Sequence, residues 1–146
     1  MNASTVDFSK NFKKVLIVED DTGIRESLRH YLNYLGLANL TAMDGVEAIK
    51  ILKAEKIDVI LTDFQMPRLN GIELLHWCRS QNLHIPVIFI SANSHLVPQE
   101  QIALSEDCCA TLMGKPIDLD ILEQALTSAV EHTHHRNCIH SGRSNP

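Results

Sequence analysis

Short apolar runs alternate with polar and amphipathic segments along most of this chain. Residues 15–18 are consecutive aliphatic residues, a pattern typical of a parallel strand that is buried on both faces. Comparable runs recur further along the chain, although the second and the fifth are weaker than the others. The strands predicted in this way are 15–18, 37–41, 59–62, 87–90 and 110–113.

Each predicted strand is followed by apolar residues at helical spacing. In the first such segment Ile24, Leu28 and Leu32 recur on one face, and Gly36 is a typical helix terminator. Polar residues that can cap a helix precede several of these segments. The predicted caps are Thr22 or Asp21 for the first helix, Asp44 (in a capping box with Glu47) for the second and Asp118 for the last.

Strands that alternate with helices predict an α/β fold with a parallel sheet and right-handed crossovers. We expect a flavodoxin-like domain of five strand–helix units, with strand order 2-1-3-4-5 and helices on both faces. Polar residues follow the carboxyl ends of the strands, where such sheets place their sites. The residues expected to meet at this edge are Glu19, Asp20, Asp63, Ser91 and Lys115.

These polar side chains suggest acceptance of a phosphoryl group on Asp63. The carboxylates of Glu19, Asp20 and Asp63 would repel one another, and a hard cation such as Mg²⁺ relieves that repulsion with oxygen ligands. Lys115 supplies a fixed positive charge and Ser91 a hydroxyl donor. Phosphoryl transfer depends mainly on positioning and electrostatic stabilisation, so this set is chemically sufficient.

Composition narrows the class of protein further. The 146 residues suggest one domain, and the net charge of −5 argues against a nucleic-acid partner. We find no apolar run of about 18 residues and no basic-then-apolar leader, so we expect no membrane insertion and a cytoplasmic location. The four cysteines, Cys78, Cys108, Cys109 and Cys138, lack zinc-like spacing and are expected to be reduced thiols.

The motifs together resemble the receiver domain of bacterial two-component response regulators. Any one of them is weakly specific, but all of them occur in the order and roughly the spacing of that family. The resemblance covers about residues 13–130. The matching stretches are Val15-Leu-Ile-Val-Glu-Asp-Asp21, Asp63-Phe-Gln-Met-Pro67, Asn70-Gly71, Ser91-Ala92 and Lys115-Pro116.

The resemblance assigns a role to each of these positions. It makes Asp63 the phosphoacceptor, Ser91 the switch hydroxyl that moves toward the phosphoryl group, and Lys115 its ion partner. It also implies a cis bond before Pro116. The implied Mg²⁺ ligands are Asp20, Glu19 (directly or through water), Asp63 and the main-chain carbonyl of Gln65.

The chain departs from the family pattern at the switch aromatic, and two further positions bear on the lifetime of the phosphoryl group. The switch aromatic is replaced by Leu112, so a leucine rotamer change would have to take its place. The two positions that tune the lifetime of the phosphoryl group are Gln65 and Asn93. Neither is a carboxylate, so each can orient a water molecule but cannot take its proton.

We expect a flexible arm over residues 1–13, the receiver domain over 14–130 and a tail over 131–146. The tail is too short for an output domain, which predicts a single-domain regulator that signals through protein contacts. A histidine kinase or histidine phosphotransfer domain would dock near the first helix. Its downstream target would bind the fourth helix, fifth strand and fifth helix, at about 98–106, 110–113 and 118–130.

The tail contains several histidines and a cysteine, among them His132, His134, Cys138 and His140. These side chains could bind zinc or copper. The polar composition and the Gly, Ser, Asn and Pro at the end favour a disordered segment instead.

Other functions compete with the phosphoacceptor hypothesis. A phosphorylation-independent adaptor would use the same fold without the chemistry, and Leu112 keeps that hypothesis open. A Mg²⁺-dependent phosphohydrolase with an aspartate nucleophile usually has a general acid two residues later, where this chain has Gln65. A DNA-binding regulator fits the charge least well. We therefore expect no enzyme acting on an outside substrate, but a phosphoacceptor that assists its own phosphorylation and dephosphorylation.

Overall fold

Five parallel strands form one sheet in the order β2-β1-β3-β4-β5, as the alternating pattern predicts. The computed structural model describes residues 13–66, 68–91 and 110–132. The central strands are continuous apolar runs because both of their faces are covered by helices. The strands are β1 (Lys14–Val18), β2 (Ala38–Ala42), β3 (Val59–Asp63), β4 (Val87–Ser91) and β5 (Ala110–Gly114).

The helices of the described residues are α1 (Thr22–Leu35), α2 (Gly45–Ala54), α3 (Gly71–Ser80) and the C-terminal helix (Leu119–His132). The helix predicted over residues 98–106 lies outside the described residues, as do 1–12 and 133–146. None of the described helices is both long enough and apolar enough to span a lipid bilayer.

Successive residues of β1 point to opposite faces of the sheet and enter two separate apolar clusters. Val15 and Ile17 pack with residues of α1 and the C-terminal helix. Leu16 and Val18 pack on the other face with residues of α2 and α3, where Cys78 is fully buried. Burial on both faces fixes the strand register, because a shift of one residue would exchange the two faces.

The structure decides between the two candidate caps of α1. Asp21 is the cap: its carboxylate accepts the Ile24 N–H at 2.9 Å, and Thr22 is the first helical residue. This is the N–H three residues after the cap, the one that a capping carboxylate reaches, and Gly36 ends α1 with φ 84°, as expected.

Asp44 caps α2 as predicted, but the capping box there is incomplete. Asp44 accepts the Glu47 N–H at 2.9 Å, whereas the Glu47 carboxylate accepts the N–H of Met43 at 2.6 Å, one residue before the cap. A full capping box forms instead at α3, between Asn70 and Glu73. At the C-terminal helix Asp118 accepts main-chain N–H groups of the first turn, as expected.

Candidate functional site

The carboxyl ends of the central strands place the predicted site residues side by side. Asp63 is the last residue of β3 and is paired in register with Ile90, directly before Ser91 at the end of β4. Ser91 in turn pairs with Gly114 at the end of β5, and its carbonyl accepts the Lys115 N–H at 2.9 Å. Parallel pairing therefore brings residues that are distant in sequence to a single edge of the sheet.

Three acidic side chains form a cluster at this edge. One carboxylate oxygen each from Glu19, Asp20 and Asp63 lies within 4.8 Å of the other two. Glu19 is 1% exposed and Asp63 8%, whereas Asp20 is exposed. The cluster is open to solvent on the Asp20 side, so a small cation or an anionic group can reach it.

Lys115 is the described cation that lies between two of these acids. Its Nζ is 3.4 Å from Asp63 Oδ2 and 3.6 Å from Glu19 Oε1. The Lys115–Pro116 peptide bond is cis, as the resemblance implied. The single lysine charge faces more than one carboxylate, which leaves the cluster with an excess of negative charge.

The pKa of Glu19 reflects its burial first and the charges around it second. Burial raises the pKa of its carboxyl from 4.5 to about 7; the Asp21 N–H lowers it, the Asp63 carboxylate raises it further, and Lys115 lowers it. The Asp21 N–H donates to Glu19 Oε2 at 3.1 Å. A further cation at this edge would lower the cost of keeping all three carboxylates ionised.

The donor set fits Mg²⁺. This ion prefers carboxylate and carbonyl oxygens and retains several waters, so it needs few protein ligands and an open side. Glu19 Oε1 is buried and has no hydrogen-bond partner among the described residues. A buried carboxylate oxygen is rarely left without a partner in a native protein, and a bound cation would satisfy it.

The structure gives fewer contacts for the remaining predicted site residues. Ser91 is buried at the end of β4. Gln65 is exposed, and its N–H lies 3.3 Å from Asp63 Oδ1. Leu112, at the position of the family's switch aromatic, lies on β5 with 38% of its surface exposed. Asn93 lies outside the described residues.

Two arginines near the site were not predicted from the sequence. Arg25 Nη1 donates to the main-chain carbonyl of Glu19 at 2.9 Å, which fixes the end of β1. Arg68 Nη2 donates to Asp44 Oδ2 at 2.6 Å, which joins the loops after β2 and β3. Arg25 lies in the first turn of α1, close in sequence to Glu19, so the local sequence could have indicated the Arg25–Glu19 contact. The second joins residues 24 positions apart, and no local spacing indicates it.

Comparison with known proteins agrees with this geometry. The sequence profile described as "Response regulator receiver domain" matches residues 15–127. The sensor histidine kinase RcsC of Escherichia coli is 36% identical over 119 residues, which are 80% of this chain and 12% of the kinase. The chain thus spans only a small part of the length of that curated relative.

Solved structures give the same result. The receiver domain of the Francisella response regulator 1452 has a TM-score of 0.74 and 30% identity, and the match covers 83% of this chain and 98% of that one. The response regulator TrrA of Thermotoga maritima, crystallised in complex with Mg²⁺ and BeF, has a TM-score of 0.71 and 26% identity, covering 80% and 98%. With its sheet order, its acidic edge and a profile match over residues 15–127, this chain belongs to the family of response regulator receiver domains.

Proposed function

We propose that this receiver accepts a phosphoryl group on Asp63, in a Mg²⁺-dependent reaction, from a histidine kinase or a histidine phosphotransfer domain. The observation that carries the proposal is the set of charges around one carboxylate. Asp63 ends β3 beside Glu19 and Asp20, with Lys115 Nζ 3.4 Å from its Oδ2. A carboxylate that served only as a turn residue would not require two neighbouring acids and a lysine around it.

The chemistry is a transfer between two nucleophiles. An oxygen of Asp63 attacks the phosphorus of a phosphohistidine, the O–P bond forms, and the P–N bond breaks with its electron pair left on the donor imidazole. Lys115 pairs with one oxygen of the transferred group and the Ser91 hydroxyl donates to another. The protein contributes position and charge and acts on no outside substrate, consistent with a phosphoacceptor that is not itself an enzyme.

The metal ligands are the side chains of Glu19, Asp20 and Asp63 and the main-chain carbonyl of Gln65. When bound, Mg²⁺ supplies positive charge that neutralises phosphoryl oxygens and allows the acids to remain ionised. Glu19 Oε1 supports this assignment, because it is buried and accepts no hydrogen bond from the described residues, and its ion pair with Lys115 Nζ is long, at 3.6 Å. A related receiver, TrrA, has been crystallised with Mg²⁺ and BeF, which also supports it.

An apolar groove beside the site suits the phosphodonor. A cavity of about 560 Å³ lies between α1 and the segment that enters the C-terminal helix. Among the described residues its apolar lining includes Ile24, Leu28, Tyr31 and Ile117, and Asp21 stands at the edge near the acidic cluster. A helix that carries a phosphohistidine can lie in this groove with its imidazole directed at Asp63.

The signal leaves through contacts with a downstream protein. Phosphorylation biases a pre-existing equilibrium of the surface formed by the predicted fourth helix, β5 and the C-terminal helix. Leu112, Leu119 and Ile121 are exposed on the described part of this surface. The proposed phosphorylation of Asp63 is the same whether the receiver is a single-domain cytoplasmic regulator or one module of a longer protein.

Intact-mass spectrometry after incubation with acetyl phosphate tests the proposal. The wild type should gain one phosphoryl group in the presence of Mg²⁺ and none after chelation. Asp63→Asn should gain none. Glu73→Gln is the matched control, because it removes an exposed carboxylate outside the site and keeps a side chain able to complete the capping box.

A second function, a phosphorylation-independent adaptor, is favoured by Leu112 in place of the switch aromatic. The two functions differ in Mg²⁺ binding. A chain that neither binds Mg²⁺ nor accepts a phosphoryl group, from acetyl phosphate or from a histidine phosphotransfer protein, is an adaptor, and the phosphoacceptor proposal is then wrong.

A further inference from the structure

The loop between β3 and α3 carries the proposed Gln65 ligand, and main-chain hydrogen bonds close it at both ends. At the start, the Phe64 N–H donates to the Ile90 carbonyl at 2.8 Å. At the end, the Gly71 N–H returns to the Phe64 carbonyl at 3.0 Å, beside the Asn70 capping box. Between these points the Gln65 N–H lies 3.3 Å from Asp63 Oδ1, and Met66 and Leu69 pack partly buried against the apolar cluster of that face. A contact to a neighbouring element would add further support to the position of Gln65.

An ion pair supplies that support. Arg68 Nη2 donates to Asp44 Oδ2 at 2.6 Å. Asp44 is a firm anchor, since it is 7% exposed and its other oxygen caps α2 through the Glu47 N–H. Arg68 itself is 61% exposed along its side chain, so the contact depends on charge and geometry more than on burial.

Close packing follows immediately after the ion pair. A β-carbon added to Gly45 would lie 2.5 Å from Leu69 Cδ2 and 2.8 Å from the Leu69 carbonyl oxygen. The loop therefore rests directly on the first residue of α2, which is possible only with glycine there. Arg68 and Leu69 together attach the loop to the start of α2.

The backbone conformation of Arg68 is one that glycine adopts more easily than arginine. Its φ is 71°, in the left-handed region where glycine is unstrained and a residue with a β-carbon is not. A glycine would suit this conformation better, yet it would leave Asp44 without its guanidinium partner. A strained conformation next to a functional site is a reason to look for a functional role.

We propose that the Arg68–Asp44 ion pair is a latch that positions the loop after β3, so that the Gln65 carbonyl faces the metal. This inference rests on the proposed function. Arg68 and Asp44 are positioning residues, because they act through the loop and touch neither the phosphoryl group nor the metal. Because the ion pair is exposed to solvent, its effect on metal affinity should not exceed about fivefold.

The variants can be chosen so that the fold is retained. Arg68→Asn removes the positive charge and tolerates the left-handed conformation better than most residues. Asp44→Asn removes the negative charge and still caps α2. The control is Arg29→Ala, which breaks the Arg29–Glu26 pair, a contact of 2.7 Å on α1 outside the latch.

The measurement is Mg²⁺ affinity by titration calorimetry, with urea unfolding as a separate check of stability. Both single variants should bind Mg²⁺ more weakly than wild type, by up to about fivefold, the most that a solvent-exposed ion pair supplies. The double variant should lose no more than either single one, because both changes break the same pair. Arg68→Lys, which keeps the charge, should recover part of the affinity, and Arg29→Ala should match wild type.

The possible failures are distinguishable. A wild type that does not bind Mg²⁺ contradicts the proposed function, and the latch with it. A wild type that binds while both single variants bind equally well contradicts the latch alone. Losses that add in the double variant also contradict it, since the two residues would then act separately.

Discussion

A single carboxylate, Asp44, makes two contacts that both favour its ionised form. It accepts the Glu47 N–H at the start of α2 and the Arg68 guanidinium from the neighbouring loop. These contacts hold the pKa of the Asp44 carboxyl below its ordinary value of 3.8, the main-chain hydrogen bond more than the arginine. The stability of the protein therefore depends on the charge of this residue.

The wild type should have a larger free energy of unfolding than Asp44→Asn, and the difference should depend on pH. Asp44 has a lowered pKa in the folded state, so its charge stabilises the fold above the unfolded value of 3.8. That contribution, of about 1 kcal/mol or less because Arg68 is exposed, is lost as pH falls through the folded-state pKa. Urea unfolding of both proteins between about pH 7 and pH 3 measures it.

The difference in free energy of unfolding between wild type and Asp44→Asn should decrease as the pH falls. A gap that stays constant over the range would show that the Asp44 charge contributes nothing. In an Arg68→Asn background the pH-dependent gap should shrink without vanishing, because the Glu47 N–H remains.

At the scale of single elements, α3 begins with the complete capping box. The Asn70 side chain accepts the Glu73 N–H at 2.9 Å, and the Glu73 carboxylate accepts the Asn70 N–H at 2.9 Å. The cap also ends the loop that follows Asp63. Helix and loop therefore share one boundary, and a change there affects both.

Asn70→Ala should destabilise the protein by about 1 kcal/mol, the usual loss when an N-cap acceptor is removed. The main-chain N–H of Glu73 would lose its partner, and the Glu73 side chain alone would remain in the box. Urea unfolding gives the free energy of unfolding. Asn70→Ser, which keeps an acceptor, is the control; an equal loss in both variants would show that the cap is not the cause.

The elements themselves were largely predictable because burial on both faces of the sheet leaves continuous apolar runs in β1, β3 and β4. The second strand was placed one residue early, at 37–41 instead of Ala38–Ala42, since its burial is partial and its pattern weak. The sequence also left the α1 cap open between Thr22 and Asp21, and the structure has Asp21. Adjacent residues that can both cap a helix differ little in local preference, and the tertiary context selects one.

At the scale of the whole molecule, three acidic side chains meet at one edge of the sheet. Glu19 and Asp20 follow β1 and Asp63 ends β3, so two segments that are far apart in sequence come together only in the folded sheet. A cation that needs all of them binds the folded state and not the unfolded chain. Folding and metal binding are therefore coupled.

Mg²⁺ should raise the free energy of unfolding by about 1.4 kcal/mol for each tenfold increase in concentration above its Kd. Asp20→Asn should reduce this gain, since Asp20 belongs to the acidic cluster. Urea unfolding in MgCl₂ and in NaCl of equal ionic strength separates binding from screening. Asp118→Asn, which alters an exposed aspartate outside the cluster, should behave as wild type; equal gains in all three proteins would contradict the predicted site.

The edge of the sheet could be predicted because topology alone brings strand ends together, and Glu19, Asp20, Asp63 and Lys115 each follow a strand. The Arg68–Asp44 contact could not, because it depends on how two loops cross above that edge. The left-handed backbone of Arg68 gives no signal in a residue type that seldom adopts it. Side-chain contacts between loops are set by three-dimensional packing and not by local sequence periodicity.

The contact between Gly45 and Leu69 has a consequence for protein engineering. Leu69, in the loop before α3, lies so close to Gly45 at the start of α2 that the two positions have to be transplanted together. A chimera that receives the loop alone, in a scaffold with a larger residue at the position of Gly45, places Leu69 against a β-carbon. A successful graft carries Asp44 and Gly45 with the loop, even though these residues are remote from it in the gene.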